Sequence, residues 1–526
     1  MLTRIIAAPP DAILTAASRP IATGFADPTE PVIEGSSVRW GSVSDVVDEV
    51  ERFADVEEDG SGSRVNLRAT VGFRMPYFGL LFRPLVSRAT RRSLEHMGDV
   101  IEARATGAVE PEPPKRPFWT PRDPIEGSRA STIATICAVL LVAGYCGGLF
   151  TNTLDFVADS FGASDAELGV VLAITRVGVL VGLVGATIAD RRGRRKILLA
   201  SVVGVCIASA ISAFAPNLVT FGVAQVFVRG FVQLAGIVGF VAVTEVAPEG
   251  SRAFMLAIAG MASGAGFALG AGLLPVADQA GGAWRLMFLI AGLGLFLVPG
   301  LARRLPETDR YTEISGRLGA ARARELVDPM YGGRFVVAAA IGFLLGFFGS
   351  PSLQFTNRYL SKVRGYSGIG IFMLRGITQG IPALLGIILG GKLAESRGRR
   401  VIASRATLAL AVASVVFFLT GGAPLWISML VATVAGAMSG PALTAFNTEL
   451  FPTEVRGRAG AILLTASVIG AAAGLLLVGY LADPLGDVGK AVAITCIAPV
   501  IVALVLIPRL PEARGQRLDD ISPPEV

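Results

Sequence analysis

The sequence predicts an all-α membrane protein of twelve transmembrane helices in two six-helix pseudo-repeats, preceded by a small α+β cytoplasmic domain. Three observations predict it: a composition too apolar for water, one long apolar region with room for about twelve passes, and short motifs that recur at a constant separation. Of 526 residues, 52% are hydrophobic and 17% charged, against roughly a quarter charged in soluble domains. That composition excludes a disordered chain, a coiled coil and an ordinary soluble enzyme.

Residues 1–108 are mixed and charged. From Arg64 to Arg74, Val65, Leu67, Ala69, Val71 and Phe73 alternate with mostly polar residues, which predicts a half-buried strand. From about Val86 to Ala105, the apolar residues Leu94, Met97, Val100 and Ile101 recur at helical spacing. A β region ending in a long helix follows, with His96, the one histidine, on its surface. A Pro-rich linker occupies 109–130. Met1 to Pro20 lacks a basic start followed by an apolar core, so no cleavable signal peptide is expected.

Apolar runs then fill two bundles, 131–303 and 335–508, with a cytoplasmic loop at 304–334 between them and a tail at 509–526. The expected spans are 131–154, 168–189, 197–214, 217–244, 253–276, 284–303, 335–357, 367–391, 402–421, 425–447, 459–482 and 488–508. Lys and Arg cluster in alternate loops, at Arg191 to Lys196, Arg397 to Arg405 and Arg456 to Arg458, whereas 155–167, 277–283 and 422–424 have none. The positive-inside bias therefore puts both termini in the cytoplasm of an inner or plasma membrane. One loop breaks the pattern, with Arg358, Lys362 and Arg364 on the outer side. The net charge of +6 is a topology signal and gives no indication of nucleic acid. Cys137, Cys146, Cys206 and Cys496 lie inside apolar runs and are expected to pack as small hydrophobes.

The repeat is the most informative feature. GATIADRRGRRK at 185–196 recurs as GGKLAESRGRR at 390–400, which sets Asp190 against Glu395, 205 residues apart. Phe150, Thr151 and Asn152 recur as Phe355, Thr356 and Asn357, and Pro306 and Glu307 as Pro511 and Glu512, at the same separation. The segment EVAPEGSR from Glu245 to Arg252 recurs, 204 residues later, as ELFPTEVR from Glu449 to Arg456. Two parallel copies of one unit place a binding site between them near the midplane, exposed to either side in turn.

These motifs, with LPET at 305–308 and LPEARG at 510–515, resemble the major facilitator superfamily, in particular its sugar and metabolite porter branches. The resemblance covers residues 131–515. The family pattern has a glycine four residues before the acid of the loop motif. Gly391 satisfies it, whereas Ala186 stands there in the first copy with Gly185 displaced by one. The fifth helix is rich in glycine, at Gly260, Gly264, Gly266, Gly270 and Gly272, yet lacks the Gly-Pro pair of drug antiporters, which weighs against an exporter. The resemblance implies a cytoplasmic gate built from Asp190, Arg191, Gly193, Arg194, Arg195, Glu245 and Arg252 with Gly391, Glu395, Gly398, Arg399, Arg400, Glu449 and Arg456. Simple anchoring of loops by the bases is the other reading, although anchoring alone needs no acids.

Ionisable groups inside the spans are costly and mark function. Arg176 lies 14 residues before Asp190, about 21 Å along the helix at 1.5 Å per residue, with Arg229 well inside the fourth span and Arg375 near the outer end of the eighth. Asp155 ends the first span on the same side as Arg176; the two either pair or serve substrate or proton. Arg229 with Gln233 loosely resembles a fourth-helix motif linked to proton coupling. Three interior arginines against at most one acid predict an anionic or strongly hydrogen-bonding substrate such as a carboxylate. Asn152, Asn357 and Gln379 supply neutral donors and acceptors for substrate hydroxyls, or for interhelical bonding.

The opening IIAAPPDAI, the GSGSRVNLRATV segment and the RRSLEHMGDVIEAR helix are similar to START-like domains of the polyketide cyclase and lipid-transfer class. That implies a possible apolar ligand in the amino-terminal domain, with a plain tethering domain as the alternative. No Ser-His-Asp set, phosphate-binding glycine loop or metal-ligand spacing is present in the sequence, so neither an enzyme nor a cofactor is expected. The reading is a secondary transporter of a small polar or acidic metabolite, of the sugar or organic acid class, coupled to protons. The alternatives are an exporter of apolar, drug-like or lipid compounds fed by the amino-terminal domain, and a non-transporting sensor.

Overall fold

The computed structural model describes residues 2–23, 30–41, 49–59, 62–72, 77–115, 125, 127–248, 251–306, 329–449 and 453–510. The chain falls into two compact units. One holds residues 1–140 with 238–262 and 299–310, and the other holds 141–237, 263–298 and 311–526.

The amino-terminal domain is an antiparallel sheet in the order β1-β5-β4-β3-β2, from β1 (Leu2–Ile6), β2 (Val32–Glu34), β3 (Ser37–Trp40), β4 (Glu49–Asp59) and β5 (Gly62–Gly72). Helices α1 (Pro10–Ala17) and α2 (Gly79–Thr106) accompany it. The register pairs Ala54 with Leu67 and Val56 with Val65. Period-two alternation thus sends these four to one face, where they join Trp40, Ile13, Met97 and Ile101 in one core. The predicted strand and helix are both present, while Phe73 lies outside the described residues. His96 is a correction: it is buried rather than on the surface, because it falls on α2 between Leu94 and Met97 of the core. Arg104 near the end of α2 donates to the carbonyls of Ala16, Arg19 and Pro20 and pairs with Glu110 at 2.9 Å. That guanidinium holds the Glu110 carboxyl below the usual carboxylate range. Just before α2, Tyr77 adopts a left-handed φ of 69°. Its ring lies 5.5 Å from the Arg304 guanidinium, and a Cβ added at Gly300 would come within 3.1 Å of its hydroxyl.

Twelve helices among the described residues are long and apolar enough to cross a membrane. The first six are Gly127–Phe161, Asp165–Arg192, Arg194–Ala213, Leu218–Val246, Arg252–Gly272 (extended by Leu274–Ala277), and Trp284–Arg304, which contains a 3₁₀ turn at Gly294–Leu297. The second six are Pro329–Arg358 (extended by a π turn at Tyr359–Val363), Gly368–Arg397, Arg399–Leu419, Gly422–Glu449, Thr453–Leu485 and Val488–Arg509. The first and seventh helices run past their predicted ends at 154 and 357, and this extension positions the residues described below. All four cysteines are free and buried.

The repeat is visible in backbone geometry. The second and eighth helices each start from a serine cap, Ser164 accepting from Glu167 N and Ser367 from Gly370 N. Such caps satisfy amide groups that have no partner within the helix. Each helix then stops at a glycine, Gly193 with φ 91° and ψ 142°, and Gly398 with φ 98° and ψ 138°. This conformation is sterically denied to residues bearing a Cβ. The second helix meets the eleventh where Gly169 faces Gly479. A Cβ on Gly169 would stand 2.9 Å from the Gly479 Cα. Among the described residues, nothing lies within 4 Å of a Cβ built at Gly391.

The two loop glycines carry a prediction. Gly193→Ala and Gly398→Ala will each lower stability by about 1–3 kcal/mol, the penalty for a Cβ at a positive φ with extended ψ. Thermal unfolding of the detergent-purified protein measures this, and unchanged melting of both variants would refute the assigned backbone.

Candidate functional site

The duplicated Phe-Thr-Asn segments face each other. Asn357 Nδ2 donates to the Asn152 carbonyl at 3.1 Å, and Thr151 Oγ1 lies 2.7 Å from the side-chain amide of Gln354. Arg375 Nη1 donates to Asn152 Oδ1 at 3.1 Å, and Asn152 Nδ2 reaches the Phe267 carbonyl at 3.3 Å. Phe150 and Phe355 fill the adjoining core. Residues one helical turn apart share a face, so a repeat of a few residues brings matching polar groups to one seam.

Two further arginines reach this seam from the first repeat. Arg176 Nη2 donates to Ser350 Oγ at 2.5 Å, and Arg229 Nη2 lies 3.4 Å from Thr151 Oγ1. With its amide oxygen turned toward the arginines, Gln354 accepts from Arg176 Nη2 at 3.1 Å and from Arg229 Nη2 at 2.9 Å, while its nitrogen donates to Thr151. That orientation satisfies both ends of the amide, and amide orientation is assigned by its partners. No Asp or Glu among the described residues forms an ion pair with Arg176, Arg229 or Arg375. Arg176 Nε, Arg375 Nε and Asn357 Oδ1 are buried without a hydrogen-bond partner. Gln233 and Gln379 are half-buried and join none of these bonds; Gln233 instead packs against Gly182 of the second helix.

The acids cluster at one end of the seam. Asp155 is buried and pairs with Arg358 Nη1 at 3.0 Å. Arg358 Nε also pairs with Asp165 at the start of the second helix, and Lys362 pairs with Asp159 at 2.7 Å, with Asp155 4.0 Å away. Asp278 accepts from the Gly368 backbone nitrogen at 3.2 Å. The alternative that paired Asp155 with Arg176 is not realised. The first helix continues to Phe161 and the seventh through Arg358, so a guanidinium from the other repeat reaches Asp155 first. Sequence reasoning missed Arg358, Lys362, Asp159, Asp165, Ser350 and Gln354. The first four had a signal, since the loop whose bases break the alternation faces the base-free loop rich in aspartate.

At the loop motifs, the backbones of Gly193, Gly391 and Gly398 are described, and Arg400 Nη1 donates to the Pro508 carbonyl at 3.4 Å. Glu245, Arg252 and Arg194 are half-buried, Arg195 lies in the first turn of the third helix, and Arg399 begins the ninth. The side chains of Asp190, Arg191, Glu395, Glu449 and Arg456 lie outside the described residues. Every cross-repeat hydrogen bond and ion pair named above lies at the seam or toward its Asp155 end.

Two six-helix repeats meeting at a polar seam define a membrane transporter. The sequence model of the Major Facilitator Superfamily matches residues 136–439 and 378–522, and the chain belongs to that superfamily. It is a transporter and not an enzyme. The amino-terminal domain lies outside the match. A gallate transporter of Pseudomonas putida is 27% identical over 404 residues, covering 69% of this chain and 87% of that protein. The galactose-proton symporter of Escherichia coli is 29% identical over 171 residues, covering 32% of this chain and 36% of that protein. In fold, the chain is similar to the inward-open xylose transporter XylE of E. coli, with TM-score 0.61 at 20% identity over 75% of this chain and 99% of that one.

The ion-pair set predicts an imbalance on mutation. Removing Arg358 alone strands Asp165 and leaves Asp155 only the more distant Lys362, a loss of about 3–5 kcal/mol for a buried pair. Arg358→Met will therefore shift the protein away from the state closed at this end, and adding Asp155→Leu with Asp165→Leu will restore much of that closure. Alkylation of a cysteine placed at Asn152 reports the shift, and equal labelling of all variants would remove these pairs as a lock.

Proposed function

We propose that this protein is a secondary active transporter that moves a small organic acid through the membrane by alternating access, together with protons. The observation that carries the reading is the set of Arg176, Arg229 and Arg375, three guanidiniums at the seam with no acidic partner among the described residues. A cation held away from water without a counter-charge is costly, and a carboxylate supplies two charged acceptors in the geometry that guanidinium favours. A neutral sugar has no use for three positive charges. Asn152, Asn357, Gln233 and Gln379 then serve the hydroxyl or ring portion of the substrate.

The gallate transporter among the relatives supports an acidic substrate, and the galactose-proton symporter supports proton coupling. The distribution of Lys and Arg supports an inner or plasma membrane with both termini in the cytoplasm. In that orientation the Asp155 end is the outer mouth, and the loop motifs around Asp190 and Glu395 form the inner gate. A few ion pairs, worth up to about 1 kcal/mol each when solvated, hold a gate and still allow it to break in each cycle. Arg358, Asp155 and Asp165 give the outer mouth the corresponding latch.

The test is uptake into proteoliposomes over a panel of aromatic acids, aliphatic acids and sugars, with and without an imposed pH gradient. An acid is expected to accumulate, faster when the outside is acidic. Arg176→Ala and Arg229→Ala are each expected to reduce its uptake by about tenfold or more, the cost of one charge-assisted hydrogen bond. Accumulation of sugars alone, or unchanged acid uptake in both variants, would overturn the reading.

A further inference from the structure

Gln354 holds a position that its charge does not explain. It is buried on the seventh helix, in the second repeat, and its amide oxygen is shared by Arg176 and Arg229 of the first, at 3.1 and 2.9 Å. One turn earlier on the same helix, Ser350 accepts from Arg176 at 2.5 Å. On its other side, the Gln354 amide nitrogen donates to Thr151 of the first helix at 2.7 Å. Two cations of one half are thus held by two neutral oxygens of the other.

An amide oxygen has the shape and hydrogen-bonding direction of a carboxylate oxygen without its charge. Hydrogen bonds from guanidinium to an ionised acceptor are roughly twice as strong as those between neutral groups. A carboxylate arriving at Arg176 and Arg229 therefore competes for donors that Gln354 and Ser350 occupy, and its charge favours it. Once the amide oxygen is displaced, the seventh helix loses its bonds to the second and fourth helices at this level. Substrate entry and loosening of the seam become the same exchange of partners.

We propose that Gln354 is an internal surrogate for the substrate carboxylate, filling the anion position between Arg176 and Arg229 until substrate displaces it. This rests on the organic-acid reading above. The surrogate explains how two guanidiniums remain together without an acid in the substrate-free protein. It also makes Gln354 a specificity-determining residue: ligands that cannot outbid an amide, such as neutral sugars or carboxamides, leave the seam intact.

Gln354→Glu replaces the amide oxygen by a tethered anion of the same shape. The purified variant is expected to melt several degrees above wild type with no ligand present, and to lose transport of acids. Gln354→Leu removes the competitor and is expected to bind acids several-fold more tightly than wild type. Binding is read by thermal shift with benzoate, gallate, succinate and glucuronate as probes. Unchanged or lower melting of Gln354→Glu, or weaker acid binding by Gln354→Leu, would overturn the surrogate and leave Gln354 an ordinary ligand or strut. The parent reading fails separately, through Arg176→Ala and Arg229→Ala both retaining wild-type acid binding or through the absence of any response of wild type to the four acids.

Discussion

A guanidinium withdrawn from water must find acceptors, and the interior of this bundle depends on how it meets that demand. Arg176, Arg229 and Arg375 lie on the second, fourth and eighth helices, and each turns to a neutral oxygen: Ser350, Gln354 with Thr151, and Asn152. Most of these bonds cross between repeats. Acceptors of this kind hold the seam together while leaving the charge of the three guanidiniums without an acidic partner among the described residues.

The acids have been placed elsewhere. Asp155, Asp159 and Asp165 meet Arg358 and Lys362 at one end of the seam, where helices from both repeats converge. Full ion pairs gather at this end, and neutral hydrogen bonds hold the three arginines along the rest of the seam. Close backbone approach at Gly169 and Gly479 lets the second and eleventh helices bring these groups within reach.

The duplication was legible because it leaves identical letters at a constant interval, and the structure repeats it in the paired serine caps and the matching dihedrals of Gly193 and Gly398. The three arginines were legible too, since charge in an apolar run is conspicuous. Gln354 and Ser350 were not. A neutral polar residue in a helix looks the same whether it faces lipid, a neighbour or a guanidinium, and only the packing of four helices decides. Asp155 was found and its partner was not, because hydropathy ends a helix where charge begins, whereas the real first and seventh helices carry their charges inward. His96 misled for a related reason: one polar side chain says little about the face it occupies.

The pairs at the mouth have a regular spacing. Asp155 and Asp159 are one turn apart on the first helix, Arg358 and Lys362 one turn apart at the end of the seventh, and Lys362 already stands 4.0 Å from Asp155. Such a ladder can slip by a rung. If the alternating access proposed above slides the halves by about 5.4 Å, the rise of one helical turn, this spacing lets a base pass from one carboxylate to the next before it is wholly released, so that the pairs need not all break at once.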